Sequence, residues 1–224
     1  MTLPARYVAA LRLLAALITV VAVTATFLDT AGRGTVNPFN FFGFFTIQGN
    51  ILAAVVLGVT AVLGLRGRRV SPGLELARAA TTAYMIVVGL VYNTLLTGLT
   101  GGVTLPWANT MLHVVFPLYC LVDWLLVADR GAQPWRRLWT VLVYPVLWTA
   151  VVLLRGATDG WVPYPFLSPT MGYGSVFGYV LLIAVAFIAA GAAVFGLSRV
   201  RIITVRPTPA RPDRPGVPPK RRPG

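Results

Sequence analysis

Residues 41–65 read FFGFFTIQGNILAAVVLGVTAVLGL. Apart from Thr46, Gln48, Asn50 and Thr60 the stretch is built of apolar residues and glycine, and it carries no charge. A bilayer core takes about 20 consecutive apolar residues in helical form. The chain repeats this signature at 7–28, 77–96, 107–128, 138–154 and 175–197. The whole 224-residue sequence is 57% hydrophobic and 11% charged, where a soluble domain carries about 25% charge. The expected fold class is therefore an all-α integral membrane protein: a bundle of six transmembrane helices over residues 1–200. A disordered, basic, Pro-rich tail is expected over 201–224. The first run follows Arg6 and resembles a signal peptide, but its length favours a membrane helix.

A net charge of +13 would suggest nucleic acid in a soluble protein, but here the charges are sorted by loop. Seventeen of the nineteen Lys and Arg fall at the N-terminus, in the second and fourth loops, or after the sixth run; only Arg33 and Arg155 fall on the other side. The positive-inside rule then places both termini in the cytoplasm, as an even helix count requires, and no nucleic-acid partner is expected. The tail, RPTPARPDRPGVPPKRRPG, has too little apolar content to build a core and suits anionic headgroups of the cell (plasma) membrane. Cys120 is the single cysteine, so neither an internal disulfide nor a Cys-based metal site is expected, and no cofactor is implied.

The loops carry two signals. NPFN at 37–40 is a turn before the second run. Residues 155–174, RGATDGWVPYPFLSPTMGYG, are rich in Trp, Tyr, Pro and Gly. An aromatic anchor at headgroup level is the generic reading, preferred here over a lid covering an opening between helices. Gly174 and Gly178 have the spacing that lets helices approach closely, inside the bundle or in a homo-oligomer.

Polar side chains in hydrocarbon face one another or a cavity, because an unpaired one costs several kcal/mol. Counting inward from the outer helix ends, Thr46, Asn93 and His113 share one layer. Asn50 lies a turn below Thr46, and Asn109 a turn above His113. His113 is the only histidine, able to take a proton near neutral pH. A neutral imidazole within reach activates a threonine hydroxyl as a nucleophile, and an amide orients the base or donates to an oxyanion. Each element also has a plain structural explanation. Membrane threonines commonly bond back to their own helix, and a buried His–Asn pair is an ordinary interhelical contact. Asp123 lies far below His113 and reads as structural, near the arginines of the fourth loop. A transporter or redox carrier is disfavoured, because one histidine cannot supply two axial haem ligands and no chain of acids forms a proton relay.

FFTIQGNILAAVVLG, NTMLHVVFPLYCLVDWLL and YPVLWTAVVLLRGATDGWVPYPFLSP resemble the androgen-induced family of multipass membrane proteins, most closely its proline-rich bacterial branch, over residues 5–197. The eukaryotic members are threonine hydrolases of fatty acid esters of hydroxy fatty acids. The resemblance implies Thr46 as nucleophile and His113, closing an Asn-x-x-x-His segment from Asn109, as base. Asn50, Asn93 and Asn109 are the supporting or oxyanion candidates. The chain departs from that pattern at Thr110, where the family has histidine, and at Asp123, where it tends to have glutamate. The expected function is hydrolysis of a fatty-acyl ester taken from the lipid phase. The alternative is a non-catalytic membrane scaffold or partner subunit.

Overall fold

The protein is described here from a computed structural model covering residues 2–98 and 105–206. Six helices are long and apolar enough to cross a membrane: α1 (Ala5–Arg33), α2 (Phe45–Leu65), α3 (Pro72–Leu96), α4 (Pro106–Leu126), α5 (Trp135–Thr158) and α6 (Tyr173–Leu197). Their outer faces carry Leu14, Leu17, Val21, Leu118, Val122, Leu147, Val151, Phe177 and Leu182, all exposed. Water would penalise so continuous an apolar belt, whereas lipid does not.

Helix ends follow local chemistry. Asn37 accepts from the backbone N–H of Phe39 at 2.9 Å and caps a single helical turn, Pro38–Phe41. Ser71 accepts from Leu74 N–H at 3.3 Å and precedes Pro72, giving α3 a capped start. At the far end of α1, residues 29–33 were expected to be loop. They continue the helix instead, and Arg33 pairs with Asp29 one turn back at 3.0 Å.

Helix α3 is central and packs against α2, α4 and α6, while α1 lies along α2. Two helices widen to π turns, at Tyr92–Leu96 in α3 and Met111–Val115 in α4. The second has a covalent cause. Pro117 has no N–H to return to the carbonyl of His113 four residues back, so the preceding turn loosens. A side chain at Gly89 would meet the freed carbonyl of His113 at 3.4 Å, so the glycine lets α3 close on α4 there.

Residues 2–4 and 204–206 lie together at one end of the bundle, called the terminal end below. Strand β1 (Thr2–Pro4) pairs in parallel with β2 (Thr204–Arg206), and Ile203 bonds the backbone of Leu126 and Ala128. The tail's expected start at 201 is therefore too early. Residues 203–206 are held by backbone hydrogen bonds that the composition of the tail did not reveal. Residues 207–224 lie outside the described residues.

Under this pairing sits a buried ionic cluster. Arg12 forks onto both oxygens of Asp123, at 2.8 and 3.1 Å, and also donates to Asp129. Arg78 donates to Asp129 at 2.8 Å and lies 3.6 Å from Asp123. Asp123 is thus structural, but its partners are Arg12 and Arg78 rather than the fourth-loop arginines. The charge count had grouped Arg12 with the N-terminus and Arg78 with the second loop. They are buried because two carboxylates neutralise them.

Candidate functional site

Thr46 stands in the first turn of α2 and is 7% exposed; His113, in the π turn of α4, is 5% exposed. Their surroundings separate Thr46 from the other buried threonines. Thr19, Thr26, Thr60, Thr81 and Thr82 each donate their hydroxyl to a carbonyl one turn back in their own helix. Thr46 does not: its hydroxyl faces the phenol of Tyr164 at 3.4 Å, and the same phenol oxygen accepts from Thr46 N–H at 3.3 Å. The back-bonding expected of a membrane threonine fails here for a local reason. The carbonyl four residues behind Thr46 belongs to Phe42, and the Gln48 amide takes it at 2.6 Å. Gln48 also accepts from Tyr144, so its side chain is fully directed away from Thr46.

Asn50, entirely buried, donates to Thr46 O at 2.8 Å and to Leu112 O at 3.1 Å. It ties the first turn of α2 to the residue preceding His113. With both amide hydrogens spent on carbonyls, Asn50 braces the site and has no donor left for an oxyanion.

His113 Nδ1 lies 3.0 Å from the backbone carbonyl of Asn109. A carbonyl only accepts, so Nδ1 carries the proton and Nε2 keeps its lone pair, the tautomer a general base requires. The ring stacks on Tyr92 with centroids 3.8 Å apart and an interplanar angle of 22°. Asn109 orients the histidine through its main chain, while its side-chain amide donates to the Tyr92 hydroxyl. Asn93 does not join the group. It is exposed and returns its amide to Gly89 O at 2.7 Å, because the π turn rotates it off the inward face. No hydrogen bond joins Thr46 to His113 directly; Tyr92 lies against the imidazole.

Thr46 opens onto a cavity of about 300 Å³ between α3, α5 and α6. Val87, Val88, Leu142, Ile183 and Phe187 make most of its wall apolar, and Phe45, Tyr92, Trp148 and Tyr164 supply rings. Its lining includes Val146 and Ala150, which are exposed on the outer face of α5, so the space communicates sideways with the belt that faces lipid. Thr149 also lines it and has no hydrogen-bond partner among the described residues.

The aromatic segment after α5 behaves as a cover more than as the expected surface anchor. Tyr164, Phe166 and Leu167 are buried, and all three line the cavity. Trp161 lies so close over Gly43 that a Cβ there would fall 2.4 Å from its ring. Arg155 stacks on Trp161 at 4.2 Å and bonds Asn40 at 2.8 Å, closing the cover onto the turn before α2. Burial pushes the Tyr164 phenol up from its ordinary range, opposed by its hydrogen bonds to Thr46, so it stays a neutral donor. Tyr92, Tyr164 and Thr149 were not singled out from the sequence. Tyr164 lay in a segment read as interfacial, and the other two look like ordinary helix filler.

Gly174 and Gly178 face open space, so their spacing serves no packing among the described residues. Comparison with known protein families, curated proteins and solved structures finds no match.

Proposed function

We propose that the protein is a membrane-embedded lipid-ester hydrolase with Thr46 as nucleophile and His113 as general base. The observation that carries this reading is the state of Thr46: it is the buried threonine not tied to its own helix, and its hydroxyl borders an apolar cavity open towards lipid. An acyl chain of a fatty-acyl ester enters past Val146 and brings its carbonyl to Thr46. The hydroxyl oxygen attacks, its proton passes to Nε2 of His113, and the leaving alcohol takes that proton as the acyl-threonine forms. Water, deprotonated by the same imidazole, then releases the fatty acid and restores the threonine. Because no hydrogen bond joins the two groups in this structure and Tyr92 is stacked on the imidazole, the side chains must rearrange for the pair to act. In this reading the protein sits in the plasma membrane with both termini cytoplasmic, and its basic tail lies on anionic headgroups.

A second reading, a non-catalytic lipid-binding scaffold, rests on the partner Thr46 has in this structure, which is Tyr164 and not His113. Labelling of the purified protein with a fluorophosphonate probe separates the two. Labelling lost in both Thr46→Ala and His113→Ala supports the hydrolase. A folded wild type that takes up no probe and cleaves no ester in a broad panel favours the scaffold. Labelling that survives Thr46→Ala and disappears in Thr149→Val would move the nucleophile to the other cavity threonine.

A further inference from the structure

The ionic cluster at the terminal end does not balance. Three buried guanidinium groups, Arg12, Arg78 and Arg130, face two carboxylates, Asp123 and Asp129. Glu75 is the nearby acid on α3, but one of its oxygens accepts from Gly131 N–H at 2.9 Å and it makes no ion pair with either Arg78 or Arg130. Arg201, exposed, adds further positive charge at the same end.

The donors tell the same story as the charges. Arg12 is saturated by its two carboxylates. Arg78 uses only Nη2, leaving Nε and Nη1 buried without a partner. Arg130 spends its two terminal nitrogens on the carbonyls of Val127 and Leu197, leaving Nε buried and unpartnered. Buried guanidinium donors left empty are costly, and native proteins rarely keep them so. The two arginines also share one neighbour: their Cζ atoms lie 5.2 and 4.4 Å from the ring of Trp124, itself held by a 2.8 Å bond from its indole N–H to Val194 O. A ring face stabilises cationic charge but accepts none of the in-plane N–H bonds. Burial, and then repulsion by Arg78, press the Arg130 guanidinium below its ordinary range, as expected of a cation short of a counter-ion.

We propose that Arg78 and Arg130, arranged about Trp124, bind a singly charged phosphate-type oxyanion. One such group supplies the missing charge, and its oxygens are acceptors for the three unpartnered nitrogens, Nε and Nη1 of Arg78 and Nε of Arg130, which suits the bidentate binding arginine favours. The site lies at the terminal end of the bundle, with Trp124 in the last turn of α4, Arg78 in the early turns of α3 and Arg130 in the loop after α4. The phosphodiester of an anionic lipid and free monobasic phosphate share this chemistry. The proposal is independent of the hydrolase reading, since none of its residues lines the cavity at Thr46.

Thermal unfolding of the full-length protein tests it. In uncharged detergent, inorganic phosphate is titrated against gluconate at matched ionic strength. In a parallel arm, nanodiscs of phosphatidylcholine are compared with nanodiscs containing phosphatidylglycerol. A Tm that rises and saturates with phosphate, or rises only with phosphatidylglycerol, supports the site and names its source. Arg130→Gln must abolish the rise. Neutralising Arg211, Arg214, Lys220, Arg221 and Arg222 to glutamine must leave it, because the effect does not come from the tail. No response in wild type, or an equal response in Arg130→Gln, overturns the proposal. Native mass spectrometry of wild type gives a reading free of the variants: one retained phosphate-containing adduct is expected, and a bare chain after purification from membranes overturns it as well.

Discussion

The two ends of the bundle bury polar groups in opposite ways. At the terminal end, charges meet charges: Arg12 and Arg78 grip Asp123 and Asp129 with short, multiple contacts. At the other end the buried groups are neutral, and each is held by one or two hydrogen bonds: Asn50 to two carbonyls, Thr46 to a phenol, His113 to a single carbonyl. The first arrangement is rigid, since removing any member strands a charge in low dielectric. The second leaves reactive atoms unspent beside a cavity. One end is built of neutralised charges, and the other is where the proposed chemistry would take place.

The sharpest way to break this contrast is Asp123→Ala. It leaves Arg12 and Arg78 undercompensated and should cost about 3–5 kcal/mol, enough to lose most folded protein on size-exclusion chromatography. A stable Asp123→Ala protein would deny the cluster its structural role. Thr46→Ala and His113→Ala should do the reverse. Ester hydrolysis falls by roughly 10²–10⁴-fold or more, while the melting temperature stays near that of wild type. A collapse in stability without a specific loss of activity would place Thr46 with the structural groups.

Acid separates the ends without mutation. Burial alone would raise the Asp129 carboxyl, but the Arg78 and Arg12 guanidinium groups outweigh it and hold the group well below the usual carboxylate range. Its folded value lies below its unfolded one. The stabilisation is therefore complete above about pH 4 and is lost progressively as pH falls further. Thermal unfolding against pH should show a plateau through neutrality and a decline on the acid side, and the decline should weaken in Asp129→Asn.

Smaller effects sharpen the neutral end. Asn50→Leu removes the bond that joins α2 to α4, together with the one back to Thr46 O, and strands the Leu112 carbonyl, at about 1–3 kcal/mol. Tyr164→Phe deletes only the long contacts to Thr46, worth about 1 kcal/mol or less in stability. If the cover positions the nucleophile, turnover in that variant should drop more than melting does. Equal, small changes in both would reduce Tyr164 to a packing residue.

Six apolar runs were legible because lipid demands about 20 uncharged residues whatever the neighbours are, and the structure has six helices of that kind. That Thr46 and His113 stand at a similar level along their helices was also legible, since helical rise is fixed at 1.5 Å per residue, and the Asn50 bond to Leu112 O joins those turns. Depth does not give azimuth, however. Asn93 shares the layer yet faces outward, because a π turn adds a residue to the helix and turns its side chain away from the bundle. The cause of the other π turn could be read from Pro117, four residues after His113, while that at Tyr92 has no comparable marker in the sequence.

Hydropathy and helical period thus determined how many helices form, where they run and which residues lie deep, because these depend on transfer energy and local geometry alone. Tertiary packing decided which partner each polar group took. It buried Arg12 and Arg78, which the sequence showed only as charges at the helix ends, by bringing two carboxylates to them. It gave Thr46 a phenol from a segment 118 residues away instead of the imidazole of α4. Hydrogen bonds and ion pairs act over about 3 Å, so they are settled by how the helices meet and not by the order of residues along any one of them.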